Sequence, residues 1–355
     1  MTKEHDFETN IEAMHAYSID RNRAEKVAKA FKENKPAETM SGRGVIFLTE
    51  KCNLNCLYCK RKQYTKPDIS LEDALEKVEK WSKAGCKYLH ITGGEVTIHP
   101  GLVDIVENAK EHGMVSSIST NGTSSIDLYG QLVESGAKFF YISLDSDNEE
   151  EFDGSVRLKG AFERVTNTIR YLVNQRDTYN RDVKLTINCM VYKENFHKIL
   201  ELTKFIESFK PDDFKLIPTT KFMDSLTKEQ EEKIKELIES EKENQEKFHF
   251  FFYRLKHFSS MRGLKDEKYK GIKCYICIDE RNVGPEGYYP CNIYFREGGK
   301  PIGCHREDDF GTQSKKLFEF AKTHDIYNDP ICREFCCDIT RDFNLAVHNM
   351  LIRKS

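Results

Sequence analysis

From Val45 to Thr219 the chain repeats one unit, a short β-rich run followed by a helical stretch. The runs are GVIFLT (44–49), KYLHIT (87–92), VSSIST (115–120), KFFYISL (138–144), VKLTINCMV (183–191) and FKLIP (214–218). Between the first two, Ser70 with Asp73 three residues on has the spacing of a capping box. Leu71, Ala74, Leu75, Val78 and Trp81 then recur at helical intervals. Gly85, Gly113 and Gly136 stand where three of the helices are expected to end. Six such alternations predict parallel strands joined by right-handed helical crossovers, as a barrel, a partial barrel or an open sheet. In all three the ligand site lies at the carboxyl ends of the strands.

The stretch LTEKCNLNCLYCKR (48–61) begins at that end of the first strand and carries Cys52, Cys56 and Cys59 within eight positions. Three thiolates from one loop suit zinc or an iron–sulfur cluster. A closed structural zinc site takes four protein ligands, and no fourth Cys or His lies nearby. An open cluster is therefore the favoured reading. The opening residues MTKEHDFETN lack the basic start and apolar stretch of a signal peptide, and no apolar run approaches the roughly 20 residues of a membrane span. A cytoplasmic protein without a membrane segment is expected. In a reducing compartment the twelve cysteines point to metal ligation or core packing rather than disulfides. With 55 basic against 58 acidic residues and no basic block, nucleic-acid binding is not expected.

The CxxxCxxC spacing after the first strand, with Tyr58 before its last cysteine, resembles the signature of the radical S-adenosylmethionine (SAM) enzymes. The resemblance spans residues 40–220. It implies a partial (β/α)6 TIM-like barrel, a [4Fe–4S] cluster on Cys52, Cys56 and Cys59, SAM chelated to the fourth iron, and a flavodoxin- or ferredoxin-type electron donor. Thr92-Gly93-Gly94-Glu95 after the second strand resembles the family's GGE motif, where a bare backbone would approach the SAM amino group and a carboxylate would balance its charge. By the same resemblance Tyr58, Ser119, Asn121 and Ser143 are expected to contact SAM or substrate. Cys86 and Cys189 read as core residues, and His90 and His99 likewise as structural.

Beyond residue 220 the pattern changes. A charged helix from Thr227 to about Lys247 carries Ile234, Leu237 and Ile238 on one face. Seven cysteines follow: Cys274, Cys277, Cys291, Cys304, Cys332, Cys336 and Cys337. Gly284 and Gly287 predict a hairpin that brings Cys274, Cys277 and Cys291 together, with Cys332 and Cys336 added from a terminal helix. Zinc is the competing ligand for such a CxxC group. The segment resembles the twitch and SPASM domains of the same family, which implies one auxiliary [4Fe–4S] cluster, although the step from Gly287 to Cys291 is one residue shorter than usual. The Cys274, Cys277, Cys291 spacing also fits the GTP cyclase of molybdenum cofactor synthesis. That enzyme ends in a double glycine and this chain ends Ile352-Arg353-Lys354-Ser355, so identity with it is not expected.

The resulting expectation is an α/β enzyme with a helical segment at 1–40, a core at 41–222, a connector at 223–262 and a small auxiliary-cluster domain at 263–355. It would abstract hydrogen from a substrate through a 5′-deoxyadenosyl radical. A peptide is the first expected substrate, although forty residues are too few for a separate leader-recognition domain. A sugar, aminoglycoside or nucleotide is the alternative, and a zinc-stabilised binding module a remote one. Cys304 and Cys337 are left over as candidate hydrogen-atom donors.

Overall fold

Eight strands form one open sheet in the order β6-β5-β4-β3-β2-β1-β7-β8. They are β1 (Arg43–Phe47), β2 (Tyr88–Thr92), β3 (Val115–Thr120), β4 (Ala137–Ser143), β5 (Lys184–Val191), β6 (Asp213–Pro218), β7 (Arg281–Gly284) and β8 (Gly287–Tyr289). This computed structural model describes residues 21–40, 42–59 and 66–352. The first six strands pair in parallel, as the alternation requires. The sheet is a partial barrel and does not close.

The helices cover the outer face: α1 (Arg21–Lys32), α2 (Leu71–Lys83), α3 (Leu102–Glu111), α4 (Ile126–Glu134), α5 (Glu149–Val156), α6 (Ala161–Asp177) and α7 (Ile199–Ser208). Ser70 caps α2 by accepting from Asp73 N. Gly85, Gly113 and Gly136 all take left-handed φ values (92°, 69° and 102°) just past helix ends, which costs glycine no Cβ clash. At Gly44 a Cβ would fall 2.2 Å from Trp81, so glycine on β1 is what lets the indole of α2 lie flat on the sheet.

Strand side chains alternate between the faces. Ile46, Leu89, Ile91, Ile118, Phe140, Ile142, Leu185, Ile187, Phe214 and Leu216 enter the large core beneath the helices. Cys86 and Cys189 are buried there too, as expected. On the inner face Val45 and Phe47 pack with Tyr289 and Phe295 in a small separate cluster. Many of the other inner positions are polar, His90, Ser117, Ser119, Tyr141, Thr186, Asn188 and Lys215, interspersed with Phe139, Met190 and Ile217. A core needs no such residues, so this face is where chemistry is to be sought.

The expected hairpin is present as β7 and β8, antiparallel. β7 also pairs in parallel with β1, placing Val45 beside Asn282. The region expected to stand apart at 263–355 therefore shares the core sheet, a link between segments more than 230 residues apart that no local pattern announces. Of the expected N-terminal segment, residues 1–20 lie outside the described residues. α1 is held to the C-terminal region by Arg23, which pairs with Asp279 (2.6 Å) and Glu280 (3.2 Å) and lies over the Phe343 ring. The connector helix runs Lys228–Ser240 with a full Thr227/Gln230 capping box. Among the described residues no helix is long and apolar enough to cross a membrane.

Candidate active site at the strand ends

The cysteine loop lies across the carboxyl ends of the strands and is tied down by its own backbone. Asn55 N donates to Val156 O (3.1 Å) and Leu57 N to Ser155 O (2.9 Å), fastening the loop to the end of α5. Cys52, Cys56 and Cys59 are partly buried and close enough for each charge to be felt by the others. Burial raises the Cys52 thiol and pushes that of Cys56 up to about 12. A cation is what makes such thiols ionise. Sulfurs sharing one tetrahedral zinc stand about 3.8 Å apart, given a Zn–S bond of about 2.3 Å. Among the described residues only His324, Asp329 and Cys332 bring three ligand atoms within 4.8 Å of one another. The loop cysteines are spread more widely, as a polynuclear cluster requires.

The glycines of the GGE stretch have a different job from the one expected. A Cβ on Gly93 would fall 2.2 Å from Thr49 O, and one on Gly94 2.1 Å from Lys51 O. Gly94 N donates to Thr49 O (2.8 Å) and Glu95 N to Lys51 O (2.8 Å). The bare backbone is thus needed for two loops to zip together directly before Cys52. Glu95 is fully buried. Its carboxylate accepts from Thr97 N (3.0 Å), Thr97 Oγ1 (2.6 Å), Thr120 Oγ1 (2.7 Å) and Asn121 N (2.6 Å). Three of these donors meet Oε1 and one meets Oε2, so the carboxylate ties the exits of β2 and β3 together.

Ser119 does face the mouth, half-buried, and its orientation can be derived. Ser117 Oγ lies 3.2 Å from Leu89 O and 2.9 Å from His90 Nδ1, and in the tautomer in which Ser117 donates to Leu89 O, His90 Nδ1 donates to Ser117. His90 Nε2 is then an acceptor and takes the Ser119 hydrogen at 3.3 Å. Ser119 is left presenting lone pairs. Burial and the nearby Arg43, Arg296 and Lys215 keep His90 neutral by driving its pKa well down. Ser143 and Asn188, paired in register, are half-buried at the same end. Asn188 Oδ1 is buried without a partner. Tyr58 hydrogen-bonds to Asp145 and lies beside Tyr192, ring centroids 5.9 Å apart. Asn121 faces Cys52 rather than the open mouth.

Two contributors were not legible in the sequence. Asn53 bonds to Asn121 and Thr123. Arg296, 204 residues from its partner, donates to Thr92 Oγ1 (3.0 Å) at the end of β2.

The C-terminal cysteines converge only in part. A small cavity is lined by Cys274, Cys291, Cys332, Cys336 and Cys337. Cys277 is buried and does not itself line the cavity; its Sγ lies 3.0 Å from Cys274 O and 3.4 Å from Leu317 O and is in contact with the Cys274 thiol. Cys304 stands near Tyr288 and Arg306, and Arg306 pairs with Asp73 of α2. Cys337 lines the cavity and contacts Thr340 Oγ1 (3.1 Å). Neither candidate hydrogen donor is drawn to the ring of strand ends just described.

Residues 46–206 match the family model described as the Radical SAM superfamily. Among curated proteins, the GTP 3′,8-cyclase of Clostridium perfringens is 31% identical over 165 residues, 44% of this chain and 49% of that protein. The molybdenum cofactor biosynthesis protein 1 of Mus musculus is 34% identical over 157 residues, 42% of this chain and 23% of that protein. The chain thus spans about half the length, or less, of these relatives. Among solved structures, Streptococcus suis SuiB bound to its precursor peptide SuiA superposes with a TM-score of 0.61 at 17% identity, covering 90% of this chain and 74% of that one. The enzyme anSMEcpe, with bound AdoMet and a peptide, gives 0.60 at 18%, covering 87% and 97%. At such identities the last two speak for the fold alone. The GTP 3′,8-cyclase found by sequence carries nucleotide chemistry in its name, which overturns the expectation of a peptide substrate.

Proposed function

We propose that the chain, whose residues 46–206 match the Radical SAM superfamily model, is a radical SAM enzyme modifying a nucleotide or closely related small molecule by radical hydrogen abstraction. The observation that carries the chemistry is the CxxxCxxC loop, pinned at the strand ends with its three partly buried thiols. The [4Fe–4S] cluster and SAM of such a domain supply, when bound, a 5′-deoxyadenosyl radical upon one-electron reduction. The chain's own part is to hold and shield. Cys52, Cys56 and Cys59 ligate, the Gly93-Gly94 zipper fixes their loop, Tyr58 forms a wall latched by Asp145, and Ser119 offers an acceptor oriented by His90. The substrate class is supported by the GTP 3′,8-cyclase relatives and by the polar inner face, which suits hydroxyl- and amide-rich ligands better than apolar ones.

The C-terminal cavity is read as the auxiliary cluster site, with Cys274, Cys291, Cys332 and Cys336 as ligands and Cys337 as a fifth, surplus thiol. A flavodoxin- or ferredoxin-type protein is the proposed electron donor, and the cytoplasm the proposed compartment, since all twelve cysteines are free. The test is to reconstitute the protein anaerobically, count iron, and incubate it with SAM, a low-potential reductant and single nucleotides. About eight irons per chain as two cubanes, with 5′-deoxyadenosine release stimulated by a nucleotide, is the expected result. Colourless zinc protein would overturn the radical reading, and equal release with and without every nucleotide would overturn the substrate class.

A further inference from the structure

Asn121 stands at the exit of β3, where a strand-end amide would be assumed to face a ligand. Its side chain is instead fully assigned. Thr123 N donates to Asn121 Oδ1 (3.0 Å), as does Thr123 Oγ1 (2.7 Å). A backbone N–H can only donate, so the atom it meets must be the oxygen, and this fixes the orientation of the amide. The Nδ2 group therefore points the other way. One of its hydrogens goes to Asn53 Oδ1 at 2.8 Å, and the second is directed at Cys52 Sγ at 3.8 Å. Asn53 is itself held by donating to Thr123 Oγ1 (2.9 Å). The Asn121 backbone is anchored by its N–H to the buried Glu95 carboxylate. Leu54 N supplies a second donor to the same sulfur at 3.4 Å.

We propose that Asn121 is a positioning residue whose amide donates to the Cys52 sulfur and so sets how easily the SAM-binding cluster is reduced. The inference rests on the reading of Cys52, Cys56 and Cys59 as cluster ligands. Hydrogen bonds to ligand sulfurs stabilise the more negative, reduced state and are one of the levers that fix cluster potentials. The Glu95, Asn121 and Thr123 network then has a purpose beyond loop structure. It spends a buried carboxylate to hold one N–H on one sulfur.

The test is an EPR-monitored redox titration of the anaerobically reconstituted full chain, comparing wild type with Asn121→Asp and Asn121→Ala and following the signal that changes when SAM is added. Asn121→Asp keeps the shape and the acceptor for Thr123 while removing the donor. The expected result is retained iron with a reduced-to-oxidised ratio at fixed poise lowered about tenfold, or about 59 mV for a one-electron couple. The drop should be at least as large in Asp as in Ala, because a carboxylate adds negative charge. An unchanged ratio with iron retained would overturn the proposal. So would loss of the cluster from both variants, which would make the amide a structural tie. A wild-type protein that takes up no iron on the loop would instead defeat the reading on which the inference stands.

Discussion

The Tyr58 hydroxyl hydrogen-bonds to the carboxylate of Asp145, a fully buried group 87 residues away. Asp145 Oδ1 also accepts from Met190 N (2.6 Å), and its backbone carbonyl accepts from Asn195 Nδ2 (3.0 Å). One side chain thereby ties the cysteine loop to the exits of β4 and β5. The aromatic residue of the motif is held by this latch, so its place above the strand ends does not depend on packing alone.

Replacing Asp145 with Ala should leave the Tyr58 hydroxyl and Met190 N–H without their partner, at a cost of about 1–3 kcal/mol for buried groups so orphaned. The expected outcome is a lower melting temperature together with weaker SAM binding by isothermal titration. A variant as stable and as tight-binding as wild type would show that the latch does not hold Tyr58.

Gly94→Ala should disturb the cluster loop before it disturbs SAM. Its Cβ would lie 2.1 Å from Lys51 O, the residue before Cys52, and backbone has to yield, with overpacking of this kind costing about 1–3 kcal/mol. Iron analysis should find the loop cluster depleted while the C-terminal one stays filled. Full iron with only SAM affinity reduced would restore a direct role for this glycine in SAM binding.

Cys277→Ala should retain all of the iron, because its thiol is turned to the carbonyls of Cys274 and Leu317. Cys332→Ala and Cys336→Ala should each lose about half of it, the share of one cubane in two. Mössbauer or iron counts that fall in the Cys277 variant would put that residue back among the ligands.

Asp213 gives the fold a pH dependence. Its carboxylate accepts from Phe250 N (2.7 Å) and Phe251 N (3.2 Å) at the start of the helix His249–Lys256, and burial pushes its pKa up to about 7. The unfolded chain releases this proton near pH 4. Between those values the folded state binds more protons than the unfolded one, so stability falls as pH rises from about 4 to about 7 and levels off above. Denaturant unfolding of Asp213→Asn should show a shallower fall across that window, and an identical slope would rule out Asp213 as its source.

Six strands, their parallel pairing and the position of the cysteine loop could be read directly, because alternation with periods of 2 and 3.6 residues is a local property. The gathering of Cys52, Cys56 and Cys59 was legible for the same reason: their spacing alone puts three sulfurs in one loop. The role of Glu95 was not, since its four donors come from β3 and from the turn it caps, and a sequence shows a charge without showing who satisfies it.

What the amino-acid sequence determined by itself, then, is the unit that repeats, the end of the sheet at which a ligand binds and the kind of atom that waits there. Only the tertiary structure decided that β7 joins the sheet beside β1 and that Arg296 reaches Thr92. Those pairings join residues separated by hundreds of positions. They are selected by burial and hydrogen-bond satisfaction over the whole chain, and no window of local pattern contains both partners.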